Sequence, residues 1–138
     1  MRIMAIDYGD AHTGIAISDP TGFLAGFTTV IDARRPEAVA ERVAALAREH
    51  SVEELVLGHP INMDGTRGPR SEKAQAMKAL LEEAASLPVV LWDERRTTID
   101  AHQILFNSGK NAKKRKKVVD AVAASLILEG YLTYKKDH

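Results

Sequence analysis

The apolar period of this chain changes at Pro36, and that change limits the folds open to it. Before Pro36, the stretch from Arg2 to Asp7 is alternating and rich in apolar residues, Tyr8-Gly9-Asp10 breaks the pattern, and Thr13 to Ser18 resumes it. Alternation on either side of a glycine-bearing break predicts a hairpin of two strands. A turn at Asp19-Pro20-Thr21-Gly22 leads into Phe23 to Ile31, where Phe27, Thr28, Thr29, Val30 and Ile31 favour a pleated surface and predict a third strand. After it, Val39, Val43, Leu46, Ala47 and His50 recur at the spacing of a helical face, with Pro36 suited to a first turn.

The rest of the chain alternates short apolar runs with helical stretches. Leu55-Val56-Leu57, ending at Gly58, has the length of a buried strand, and Pro69 to Ser86 is rich in the helix formers Ala, Leu, Lys and Glu. Pro88 to Trp92 predicts another strand, running into Asp93-Glu94-Arg95-Arg96. Thr97 and Asp100 have the spacing of a capping box and Asn107-Ser108-Gly109 is a stop signal, so a short helix is expected from Thr98 to Phe106. Val118, Val122, Leu126, Leu128, Tyr131 and Leu132 place a last helix within Lys117 to Tyr134. The order βββαβαβαα predicts an α/β domain whose mixed five-stranded sheet is flanked by helices. No repeat or linker interrupts it, so residues 1–138 are expected to form a single domain.

Composition excludes several classes. There is no cysteine, hence no disulfide and no thiolate metal site. The start, Met1-Arg2-Ile3-Met4-Ala5-Ile6-Asp7, reaches an acid before a signal-peptide core can form, and no apolar run could span a bilayer. A soluble, cytoplasmic protein without a membrane partner is expected. Basic and acidic side chains number 19 each, so net charge points to no partner. Their distribution does: Lys110, Lys113, Lys114, Arg115, Lys116 and Lys117 form a run without an acid.

Three acids fall where such a sheet presents its working edge. Asp7 ends the first strand, Glu94, with Asp93 beside it, follows the last, and Asp120 opens the final helix. Ligands collect at the carboxyl ends of parallel strands, so Asp7 and Glu94 converge if their strands are parallel neighbours, with Asp120 over them. Clustered carboxylates repel one another unless a divalent cation compensates, and oxygen ligands select Mg²⁺ or Mn²⁺. Two such ions about 3.5–4 Å apart can activate water and stabilise the leaving oxygen of a phosphoryl displacement. Each acid also has a plainer explanation: Asp7 as a turn residue, Asp93 and Glu94 as partners of Arg95 and Arg96, and Asp120 as an acid favouring a helix N-terminus.

Four motifs in order carry a family resemblance over almost the whole chain. They are Asp7-Tyr8-Gly9 with Gly14-Ile15-Ala16-Ile17-Ser18-Asp19, then Val56-Leu57-Gly58-His59-Pro60-Ile61-Asn62-Met63-Asp64-Gly65, Asp93-Glu94-Arg95-Arg96-Thr97-Thr98, and Val119-Asp120-Ala121-Val122-Ala123-Ala124 with Ile127-Leu128. Together they resemble the YqgF/RuvX family. The resemblance implies an RNase H-like fold related to the RuvC resolvases and a metal-dependent nuclease that matures the 5′ end of precursor 16S ribosomal RNA. Holliday junction resolution is the alternative it implies. The family's acidic positions fall on Asp7, Glu94 and Asp120. Two positions depart from its pattern: His12 stands where Arg is common, and His59 where an apolar residue, often Leu, is found. A histidine is only partly charged near neutral pH, which weakens a phosphate-holding role at position 12.

Substrate contacts are expected from Tyr8, Gly9, His12 and Arg95 near the acids, and from Asn62, Asp64 and Arg67 in the long segment between Gly58 and Arg70. Lys113, Lys114, Arg115 and Lys116 could grip phosphates beside Asp120, their plainer reading being a solvated loop. Rival classes are a nucleotide-binding lobe, since Asp7-x-Gly9 followed by Gly14 also resembles the first phosphate loop of actin-like ATPases, and a noncatalytic RNA-binding ribosome-assembly factor. The expected partner is nucleic acid, precursor ribosomal RNA or branched DNA, with a ribosomal subunit as a further partner and the chain acting as monomer or homodimer.

Overall fold

The described residues form eight elements. In this computed structural model residues 1–19, 25–59, 68–93 and 112–137 are described, with the backbone alone at 25, 112–120 and 136–137. The hairpin expected at the start is β1 (Ile3–Asp7) and β2 (His12–Ser18), joined antiparallel with Asp7 opposite Gly14. The third strand, β3 (Ala25–Asp32), pairs antiparallel with β2. Helix α1 (Pro36–Glu49) follows, then β4 (Glu54–His59), α2 (Pro69–Ala85), β5 (Val89–Asp93) and α3 (Ala112–Asp137). The short helix expected over Thr98 to Phe106 lies outside the described residues.

The strand order is β3-β2-β1-β4-β5, with β4 parallel to both β1 and β5. The sheet is therefore mixed and five-stranded, and β1, β4 and β5 end at one edge. Alternate residues of each strand enter different cores. Met4, Ile6, Ile15, Ile17, Leu55 and Leu57 meet α1 and α2, through Val39 and Val43 on one helix and Met77 and Leu81 on the other. Ile3, Ala5, Ala16, Val56 and Trp92 face Ala124, Ile127, Leu128 and Tyr131 of α3. The Tyr131 hydroxyl donates to Glu54 Oε1 at 2.7 Å, and Lys135 Nζ reaches the same oxygen at 3.2 Å. Glu54 begins β4, so the C-terminal turns of α3 lie at the amino ends of β1 and β4, and the helix comes in from their carboxyl edge.

One boundary departs substantially from the expectation. Helix α3 begins at Ala112, five residues before Lys117, so the run from Lys113 to Lys117 is helical. Ala, Lys and Arg are all good helix formers and no Gly or Pro interrupts them, which outweighs the like-charge repulsion. Asp120 consequently sits two turns inside the helix, and no acid occupies its first turn. The helix-dipole explanation for Asp120 falls with that boundary, because dipole effects fade beyond the first turn.

Candidate active site

Asp7 is the last residue of β1, the central strand. Since Ile3 and Ala5 lie in the α3 core, alternation puts Asp7 on the α3 face as well. Its neighbour across the hairpin is Gly14, and on the other side Gly58 lies one residue beyond the last β1–β4 pair, Ile6 with Leu57. Neither glycine carries a side chain, so the carboxylate stands on a bare strip of sheet where a phosphate and cations could approach. Gly9 shapes the adjoining turn: a Cβ there would collide with the His12 carbonyl oxygen.

Position 120 comes to the same level. Residues 120, 124, 127, 128 and 131 share one stripe of α3, and the last four of these positions are in the sheet-facing core. From Tyr131, anchored at Glu54, back to position 120 is about 16 Å of helix. From Glu54 to His59 is about 16 Å of strand. The backbone of α3 thus carries position 120 to the edge where β1 and β4 end. Positions 113, 116 and 117 continue this stripe beyond the edge, whereas 114 and 115 do not. Those are the expected cations Lys113, Lys114, Arg115 and Lys116, now placed on a helix.

Alternation also sets Asp93 apart from Asp7. Val89 belongs to the α1/α2 core and Trp92 to the α3 core, which puts Asp93 on the α1/α2 face, away from Asp7. Its cross-strand partner His59 agrees, bonding through Nε2 to Ser71 Oγ of α2 at 2.6 Å. Glu94 and Arg95, with Asn62, Asp64 and Arg67, lie outside the described residues. No group of three His, Cys, Asp or Glu able to hold a metal occurs among the described residues, where Asp7 is the one member of the acidic set with a described side chain. That carboxylate is a hard oxygen donor and suits Mg²⁺ or Mn²⁺.

A cleft at this edge is lined by Asp7, Tyr8, Asp10, Gly58, Arg70 and Lys73. Lys73 Nζ donates to Asp10 Oδ1 at 3.0 Å, and that bond holds the Asp10 carboxyl below its usual pKa. Burial, followed by the Asp10 charge, pushes the Tyr8 phenol above its usual range, so it stays protonated at neutral pH. His12 turns elsewhere: its Nδ1 is 2.6 Å from Asp32 Oδ1 on β3. Sequence reading missed Lys73 and Asp10. The available signal was Arg70 and Lys73 at the positive end of a helix, where acids are favoured.

A family model described as "RuvX: Holliday junction resolvase" matches residues 1–134. A protein of Halothermothrix orenii named "Putative pre-16S rRNA nuclease" is 45% identical over 135 residues, covering 98% of this chain and 96% of the relative. A Listeria monocytogenes serotype 4b protein of the same name is 46% identical over 134 residues, covering 96% and 97%. Among solved structures, "T. thermophilus RuvC in complex with Holliday junction substrate" has a TM-score of 0.65 at 15% identity, covering 98% of this chain and 96% of that one. That likeness establishes the RNase H-like fold expected from the motifs.

Proposed function

The chain belongs to the RuvX family, and from that premise we propose that it is a nuclease hydrolysing a phosphodiester bond of precursor 16S ribosomal RNA at its 5′ end. The observation that carries the reading is the bare strip of sheet around Asp7 at the end of β1.

Asp7, Glu94 and Asp120 would hold divalent cations, Mg²⁺ or Mn²⁺. When bound, a pair of such ions lowers the pKa of a water and neutralises charge on the leaving oxygen. The carboxylates would orient these ions. The protonated Tyr8 phenol at the cleft wall can donate a hydrogen bond to a phosphate oxygen. Lys113 and Lys116 extend the acid-bearing stripe as cations, suited to the strand beside the scissile bond. His12 would meet substrate only through the ring nitrogen not engaged by Asp32.

The family's description favours a four-way DNA junction as the second substrate. Both are tested by comparing wild type with Asp7→Asn, Glu94→Gln and Asp120→Asn on precursor RNA fragments and on junctions, in Mg²⁺, Mn²⁺ or EDTA. Even an outer partner of a metal ligand is commonly worth about 10- to 100-fold in activity, so each variant should lose at least about 100-fold. Cleavage that persists in any of them would place the chemistry elsewhere.

A further inference from the structure

We propose that Arg70 and Lys73, on the first turns of α2, form a second phosphate grip in the cleft at the carboxyl ends of β1 and β4, and that Asp10 holds Lys73 in place until a substrate phosphate displaces it. The inference deepens the nuclease reading and rests on it.

Both cations line the cleft that Asp7 and Gly58 also line. Three residues apart, they share one face of α2, and Ala74, only 2% exposed, lets that face pack closely at the cleft wall. Their charges converge on the turn after β1, where Lys73 bonds to Asp10 at 3.0 Å and the Arg70 charge acts on the same carboxyl. The placement runs against the helix, whose N-terminal end is already positive. A phosphate bound there would be drawn by two side chains and by the helix end together, relieving the repulsion among them.

The bond between Asp10 and Lys73 is built to be exchanged. At 3.0 Å it is well formed, yet the Asp10 side chain is 81% exposed and that of Lys73 57%. A pair so open to water contributes little to stability and can trade its carboxylate for a phosphate without leaving a buried charge behind. The grip would hold a phosphate flanking the scissile one, and such contacts set register on the strand without reading bases.

The test uses the full chain with a labelled precursor 16S RNA fragment and with a four-way DNA junction, measuring binding in EDTA from about 50 to 200 mM salt. The Arg70→Gln, Lys73→Gln double variant should lower the log–log salt slope by about 1.4 on single-stranded RNA or about 1.8 on duplex arms. Asp10→Asn should tighten binding severalfold, and that gain should vanish when Lys73→Gln is also present. An unchanged slope in the double variant, or an Asp10→Asn gain that survives loss of Lys73, would overturn the grip. Cleavage by wild type in Mg²⁺ or Mn²⁺ is scored separately. A lowered slope in a protein that never cleaves would keep the grip and remove the nuclease reading.

Discussion

The two faces of the sheet are built to different rules. On the α1/α2 face the strands present Met4, Ile6, Ile15, Ile17, Ile31, Leu55 and Leu57, long aliphatic chains sealed by two helices. On the α3 face they present Ile3, Ala5, Ala16 and Val56, with Trp92 on the edge strand, and β1 ends in Asp7 between Gly14 and Gly58. Large side chains maximise the apolar area withdrawn from water, and small ones let a helix approach while leaving space at the edge. Long aliphatic chains fill one face, and Asp7 stands on the other.

The contrast is sharpest for a cavity on the first face. Leu57→Ala, at a fully buried position, should lower unfolding free energy by about 2–5 kcal/mol in denaturant titrations, while cleavage per folded molecule stays near wild type. A fall in activity beyond the unfolded fraction would break the division between the faces. Ala16→Leu probes the other side, since Ala16 is fully buried in the core that α3 covers. Overpacking there should destabilise by about 1–3 kcal/mol, and by displacing α3 it should reduce cleavage more than Leu57→Ala does. Full activity in this variant would separate α3 from the site.

The smallest effect concerns the far end of α3. Tyr131→Phe removes the hydrogen bond to Glu54 and should destabilise by about 1 kcal/mol, with cleavage unaffected at moderate temperature. Burial first, then the bond to Glu54, raises the Tyr131 pKa well above the usual tyrosine value near 10. The folded protein keeps this proton at pH values where the unfolded chain releases it, so wild-type stability should fall as pH rises above about 10. Melting temperatures of Tyr131→Phe should show a shallower fall over the same range. A fall as steep as that of wild type would mean that this pair does not anchor the helix.

Much of the architecture could be read from local pattern. The hairpin, α1 from Pro36 and α2 from Pro69 follow the changes of period and the prolines, and each boundary lies within a residue or two of its expectation. The start of α3 was misplaced because a run of like charges reads as solvated loop, although the same residues have high helix propensity. The face of Asp93 could not be read in the sequence, for Val89-Val90-Leu91-Trp92 is apolar at every position and reveals none. Only packing against α2 and α3 sorts these residues. The meeting of Asp10 with Lys73, 63 residues apart, leaves no trace in either neighbourhood.

By itself, then, the sequence determined most of the strands and helices, their order, and the acid that ends β1, because period, propensity and turn chemistry act over a few residues. The order β3-β2-β1-β4-β5, the face on which Asp7 stands, the level at which α3 passes it and the cations across the cleft were decided only in three dimensions. Those features depend on how apolar faces far apart along the chain bury one another, and that is a property of the whole fold.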